Sequence, residues 1–199
     1  MRYTSRRLHR AASLFLLAPL VLAAVTAIAF RVGRSWLGMS PQTADWLMSL
    51  HEGRFLGETG RIVYLFLIGG ALLYMCATGL GIVLGQRGRR LRIQGQRRLH
   101  RTLALWTIAP FVLIAITGVA YRLMPMAFGW SDAQSAFLLR LHEGTYFGQV
   151  GRTAWTVLAG GVLLVLAWTG LRLALGPRPP AAAHDPTRPA PDGSVRGHS

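Results

Sequence analysis

Polar and apolar positions along this chain fall into long blocks rather than short alternations. Four blocks, at about 11–30, 62–84, 102–121 and 153–175, are almost continuously apolar. Each can cross a hydrocarbon core of about 30 Å, which takes about 20 residues of helix. A backbone in lipid must satisfy its own hydrogen bonds, so blocks of this length predict helices.

The pattern occurs twice. Arg6–Arg87 and Arg97–Arg178 align without a gap at a constant offset of 91 residues, the step from His9 to His100 and from His51 to His142. Arg7-Leu8-His9-Arg10 returns as Arg98-Leu99-His100-Arg101, and Leu50-His51-Glu52-Gly53 returns as Leu141-His142-Glu143-Gly144. A period of this kind marks a duplicated structural unit. The expected architecture is an all-α membrane protein. Its four transmembrane helices form two tandem parallel helical hairpin repeats, with short interfacial helices in the periplasmic loops. The first two-helix repeat covers 1–87, a basic cytoplasmic linker covers 88–96, and the second repeat covers 97–176. A disordered cytoplasmic tail, rich in Pro, Ala, Asp and Arg, covers 177–199. Each repeat holds an even number of spans, so both enter the membrane from one side, related by a pseudo-two-fold axis along the membrane normal. That symmetry sets His9 level with His100, and His51 level with His142.

The polar blocks orient the chain. Arg2, Arg6, Arg7 and Arg10 precede the first span, and Arg87, Arg89, Arg90, Arg92, Arg97, Arg98 and Arg101 crowd the link between spans two and three. Arginine-rich short loops remain cytoplasmic. Both termini are therefore expected in the cytoplasm of a bacterial inner-membrane protein, and loops 32–60 and 123–151 in the periplasm. The N-terminus resembles a signal peptide, but residues 97–121 carry the same pattern in mid-chain, so a retained first helix is expected. Within the loops, Ser40-Pro41 and Ser131-Asp132 read as helix starts. Trp46, Leu47, Leu50 and His51, like Phe137, Leu138, Leu141 and His142, are expected to share a face.

Composition then changes little. The chain has 199 residues, 52% of them hydrophobic, with a mean hydropathy of +0.36 and a net charge of +15. Such a charge normally suggests nucleic acid. Here the charges, all arginine, flank the spans, so the expected partner is the lipid bilayer and no nucleic acid. Cys76, the single cysteine, lies inside a span and reads as a structural thiol. The paired glycines Gly69-Gly70 and Gly160-Gly161, with Thr26, Thr117, Thr78-Gly79 and Thr169-Gly170, read as small residues for close helix approach. They could equally clear space for a flat macrocycle.

Four histidines in register carry the chemistry, because ionisable groups near a bilayer interior are usually functional. A zinc or copper centre needs three or four converging ligands. Each level here offers two, and the levels are expected on opposite membrane faces. Two imidazoles suffice for a six-coordinate haem iron, and a four-helix bundle is a natural container for one. The expected cofactors are two haem b groups, one held by His9 and His100 and one by His51 and His142. No Cys-x-x-Cys-His exists for covalent attachment. Arg31, Arg122, Arg61 and Arg152 sit at the outer span ends, against the positive-inside tendency. They are candidates for the outer haem's carboxylates; lipid phosphate or snorkelling explains them equally well. Glu52 and Glu143, next to the outer histidines, are expected on a solvated face. Trp36, Trp46 and Trp130 fit an aromatic belt.

Arg-Leu-His-Arg, an apolar span with a late Thr, Leu-His-Glu-Gly, Phe-Leu-Gly, Gly-Arg and a span ending Thr-Gly-Leu together resemble the PepSY-associated transmembrane family. The resemblance extends from Arg6 to Gly176. That family includes bacterial inner-membrane haem proteins and reductases of ferric siderophores. It implies haem ligation by His9, His51, His100 and His142. Members often carry PepSY domains between spans, and the short outer loops here hold none. The leading expectation is a di-haem b-type cytochrome taking electrons from quinol or a cytoplasmic reductase to a periplasmic acceptor, alone or as a homo-oligomer. The alternatives are a reductase component acting on ferric siderophores or similar compounds, and a non-redox scaffold or metal transporter. The span centres hold no carboxylate, which weighs against proton-coupled transport.

Overall fold

The computed structural model describes residues 2–85 and 95–176. Most of the basic linker and the whole 177–199 tail, with His184 and His198, lie outside the described residues. The described chain is entirely helical: α1 (Arg2–Trp36), α2 (Pro41–Glu52), a 3-10 turn (Arg54–Leu56), α3 (Gly57–Leu84), α4 (Gln96–Phe128), α5 (Asp132–Glu143), a second 3-10 turn (Thr145–Phe147) and α6 (Gly148–Leu175). From α2 to α3 and from α5 to α6 the boundaries repeat at the same offset of 91 residues. Four stretches, Arg6–Trp36, Arg54–Leu84, Gln96–Phe128 and Thr145–Leu175, are long and apolar enough to cross a membrane. The helices outrun the apolar blocks at both ends. Thus His9 and His100 sit within the first three turns of long helices, not in loops.

The short helices start where their capping chemistry dictates. Ser40 Oγ accepts from the Thr43 N–H at 3.2 Å, with Pro41 at the first helical position. Ser131 and Gln134 form a reciprocal capping box. Both short helices end on a glycine with positive φ, Gly53 and Gly144. A side chain there would be strained and would also collide with Tyr64 or Trp155.

The buried face of these helices differs from the expected one. Trp46 and Phe137 are 60% and 52% exposed. Ala44 and Ser135 are buried instead, and Met48, His51, Leu139 and His142 line the interior. The i, i+4, i+7 set won over the expected one because α2 and α5 lie against α1 and α4, which rotates the bulkier aromatics outward.

The four long helices form a ring. α1 packs on α3 and α6, and α4 packs on α3 and α6. Among the described residues, α1 and α4 do not pack backbone to backbone; they face each other across a diagonal, as do α3 and α6. Gly69 brings α3 close to Ala115 and Val119 of α4, and Gly160 does the same for α6 against Ala24 and Ile28 of α1. For these two glycines the close-approach reading holds. Leu20, Ala71, Leu72, Phe111 and Ala115 form a buried apolar cluster in mid-bundle.

Candidate functional site

Each histidine is held by a different helix of its own repeat. The Nδ1 of His9 on α1 lies 2.7 Å from Thr78 Oγ1 on α3, and His100 Nδ1 on α4 lies 2.8 Å from Thr169 Oγ1 on α6. Each hydroxyl already donates to its own helix, Thr78 to the Tyr74 carbonyl and Thr169 to the Val165 carbonyl, both at 2.8 Å. The ring Nδ1–H must therefore be the donor to the threonine, which leaves the Nε2 lone pair for another partner. Gly79 and Gly170 follow these threonines, and a Cβ on either would meet the imidazole Cε1 at 3.6 and 3.4 Å. The Thr-Gly pairs, read from sequence as packing residues, thus orient the histidines. The signal was available: they recur at the same offset as the histidines.

The second pair repeats the logic with main-chain acceptors. His51 Nδ1 lies 3.0 Å from the Ala23 carbonyl and 3.3 Å from Thr26 Oγ1. His142 Nδ1 lies 2.9 Å from the Ile114 carbonyl. A carbonyl can only accept, so Nδ1 carries the proton here too. Burial lowers the basicity of both rings. For His142, burial and the facing His51 bring the pKa down to about 4, outweighing the Ile114 hydrogen bond. For His51, burial outweighs the raising effects of Ala23 and Glu52. Both rings are neutral at pH 7, the state required of a metal ligand.

His9 and His100 are within electrostatic reach of each other, as are His51 and His142. The two levels are separated along α1 by the 14 residues from His9 to Ala23, a rise of about 21 Å. Among the described residues no group of three or more His, Cys, Asp and Glu could hold a bare metal ion. A tetrahedral zinc or copper centre lacks its ligand set there.

Between His51 and His142 lies a cavity of about 500 Å³, within the range of cofactor pockets. Its floor is Leu20, Leu72, Phe111 and Leu163, and its upper wall carries Arg31, Arg61 and Arg122. Gly118 gives His142 its room: a Cβ there would stand 2.8 Å from the ring Cε1.

The glutamates are not on a solvated face. Glu52 accepts from Arg61, and from Arg122 of the other repeat at 2.7 Å. Glu143 accepts from Arg152 and pairs with Arg31 of the other repeat at 3.4 Å. Each half-buried carboxylate thus meets an arginine of the opposite repeat as well as its own, with Arg54 Nε a further 3.7 Å neighbour of Glu52, which stitches the hairpins together. Tertiary folding brings in the second arginine, and no local pattern announces it. Arg31 and Arg152 around Glu143, and Arg54, Arg61 and Arg122 around Glu52 and Asp45, each retain one positive charge for an anion. The structure brings Arg31, Arg61 and Arg122 to the cavity, while Arg152 is not among the lining residues and holds Glu143. Arg31 is only 9% exposed and its Nε has no partner. An unpaired buried guanidinium N–H is costly, so it points to an absent acceptor.

The Thr78 contact is testable. Thr78→Val removes the acceptor while keeping the shape. Loss of a hydrogen bond that orients a metal ligand lowers affinity about 10- to 100-fold. If His9 and His100 hold a cofactor, the expected result is weaker occupancy of that site alone, read by cofactor titration.

No curated protein and no solved structure matches this chain. The family model for the PepSY-associated TM region matches residues 42–137, from α2 through α3 and α4 into α5, which includes His51 and His100. Through that segment, this four-span membrane protein is similar to the PepSY-associated TM family.

Proposed function

We propose that the chain is a di-haem b-type cytochrome that carries electrons across the bacterial inner membrane to a periplasmic acceptor, with both termini in the cytoplasm. The observation that carries this reading is the set of four Nδ1-anchored imidazoles, paired across the diagonal of a bundle at two levels. His9 and His100 would hold the haem nearer the cytoplasm, and His51 and His142 the one nearer the periplasm. Bound haem supplies a one-electron ferric/ferrous couple whose potential the protein tunes.

The chain's own residues do the rest. Thr78, Thr169, Ala23 and Ile114 fix the tautomer and ring direction, so that each Nε2 is presented without reorganisation. Two imidazoles per iron leave no open position, which favours outer-sphere transfer over chemistry on a substrate at the metal. The apolar floor of the outer cavity excludes water, and its arginines offer charge to a haem's carboxylates. The cavity's apolar floor of Leu20, Leu72, Phe111 and Leu163 and the arginines of its upper wall support the fit.

Haem stoichiometry tests the reading. A pyridine haemochrome assay on protein expressed with ample haem should return two haem b per chain, with low-spin Soret and α bands. A colourless preparation would end the proposal.

A further inference from the structure

The outer cavity is not symmetric, and the difference singles out Tyr64. Its counterpart in the second repeat is Trp155. Both rings pack against the glycine that ends a short helix, Tyr64 on Gly53 and Trp155 on Gly144. Both also meet an aromatic of the neighbouring 3-10 turn, Phe55 and Phe147. Their polar atoms differ in fate. Trp155 Nε1–H donates to the His142 carbonyl at 3.2 Å. The Tyr64 hydroxyl has no partner, although the residue is only 8% exposed and lines the cavity. A buried hydroxyl without a hydrogen bond costs about 1–3 kcal/mol, so such groups normally have a partner. Glu52 also lines the cavity, but Arg61 and Arg122 engage it. An acceptor carried by whatever fills the cavity would satisfy it.

We infer that the Tyr64 hydroxyl donates a hydrogen bond to an oxygen of the ligand between His51 and His142. This deepens the di-haem reading and rests on it; the oxygen acceptor at a haem's edge is a carboxylate. Tyr64 is then a positioning residue present on one side of the pseudo-two-fold axis only. It makes the two sides of the outer site inequivalent and adds a neutral donor to the positive charge of the arginine clusters. A donor on a haem carboxylate draws negative charge away from the iron and favours the ferrous state.

Tyr64→Phe in the full-length protein tests this, with Tyr64→Trp, the residue of the second repeat, as a second variant. Both should still bind two haems. One midpoint potential should become more negative while the other stays. One of the two haems should leave about tenfold faster to a haem-scavenging apoprotein in excess, as expected for one lost hydrogen bond. In a His142→Ala background, Tyr64→Phe should change neither quantity. Two haems with both potentials and both loss rates unaltered in Tyr64→Phe and Tyr64→Trp would overturn the inference and leave the di-haem reading standing. Wild-type protein without haem would overturn both.

Discussion

His142→Ala is expected to halve the haem content, from two per chain to one, and to leave the remaining haem low-spin. In the di-haem reading the ring contributes one Nε2 of that level, and the other described His there, His51, is already the partner ligand. The fold should survive. The Ile114 carbonyl that accepts from His142 lies inside α4 and keeps its helical partner, the Gly118 N–H. The loss of a buried ring costs an ordinary core-truncation penalty of about 1–3 kcal/mol. Far-ultraviolet circular dichroism should therefore match the wild type while the haemochrome reading falls by half. His9→Ala should give the complementary one-haem protein, and the two single variants should have different reduced-minus-oxidised spectra. Loss of both haems from either variant would mean that the levels are not independent. Retention of both would remove His142 as a ligand.

Gly118→Leu is the second large effect, and it acts without replacing a histidine. A Cβ at Gly118 would lie 2.8 Å from Cε1 and 2.9 Å from Nδ1 of His142. The ring cannot simply step aside, because its Nδ1 is tied to Ile114 and its helix is packed on α4. Leucine is a better helix former than glycine by most of 1 kcal/mol, so the helix itself does not suffer. The expected outcome is a well-folded protein that binds one haem. The repeat supplies a gradation. Ala27 occupies the matching position in the first hairpin, where His51 still reaches the Ala23 carbonyl. Gly118→Ala sets the same Cβ against His142 with nothing beyond it, so it should weaken the same haem less than Gly118→Leu does. Gly161, whose Cβ would meet nothing, serves as the control: Gly161→Ala should be silent. If Gly118→Leu binds two haems normally, the tight approach of His142 to α4 has no part in ligand placement.

Much of the architecture was legible before any coordinates. The spans follow from apolar length alone, because only a helix satisfies its backbone in lipid. The starts of α2 and α5 follow from Ser-Pro and Ser-Asp, since a cap is a contact within one turn. The four histidines stood out because duplication made them a set.

Other features were less legible. Which face of α2 is buried depended on α1, so the apolar stripe through Trp46 misled. Glu52 and Glu143 looked solvated because each is paired by an arginine from the opposite repeat, distant in sequence. Thr78 and Thr169 looked like packing residues because a hydroxyl that serves a histidine on another helix has no local signature.

The sequence by itself determined the periodic content of this protein: four spans, two hairpins, and a histidine near the start of each odd-numbered span and in the last turn of each short helix. These depend on chain length, hydrophobicity and neighbours within a turn. Only the tertiary structure decided that α1 and α4 sit across a diagonal, that each imidazole is anchored through Nδ1, and that Tyr64 and Arg31, which line the cavity, keep buried donors without acceptors. Those properties belong to atoms brought together from helices dozens of residues apart. Packing sets them, and no pattern along a single helix contains them.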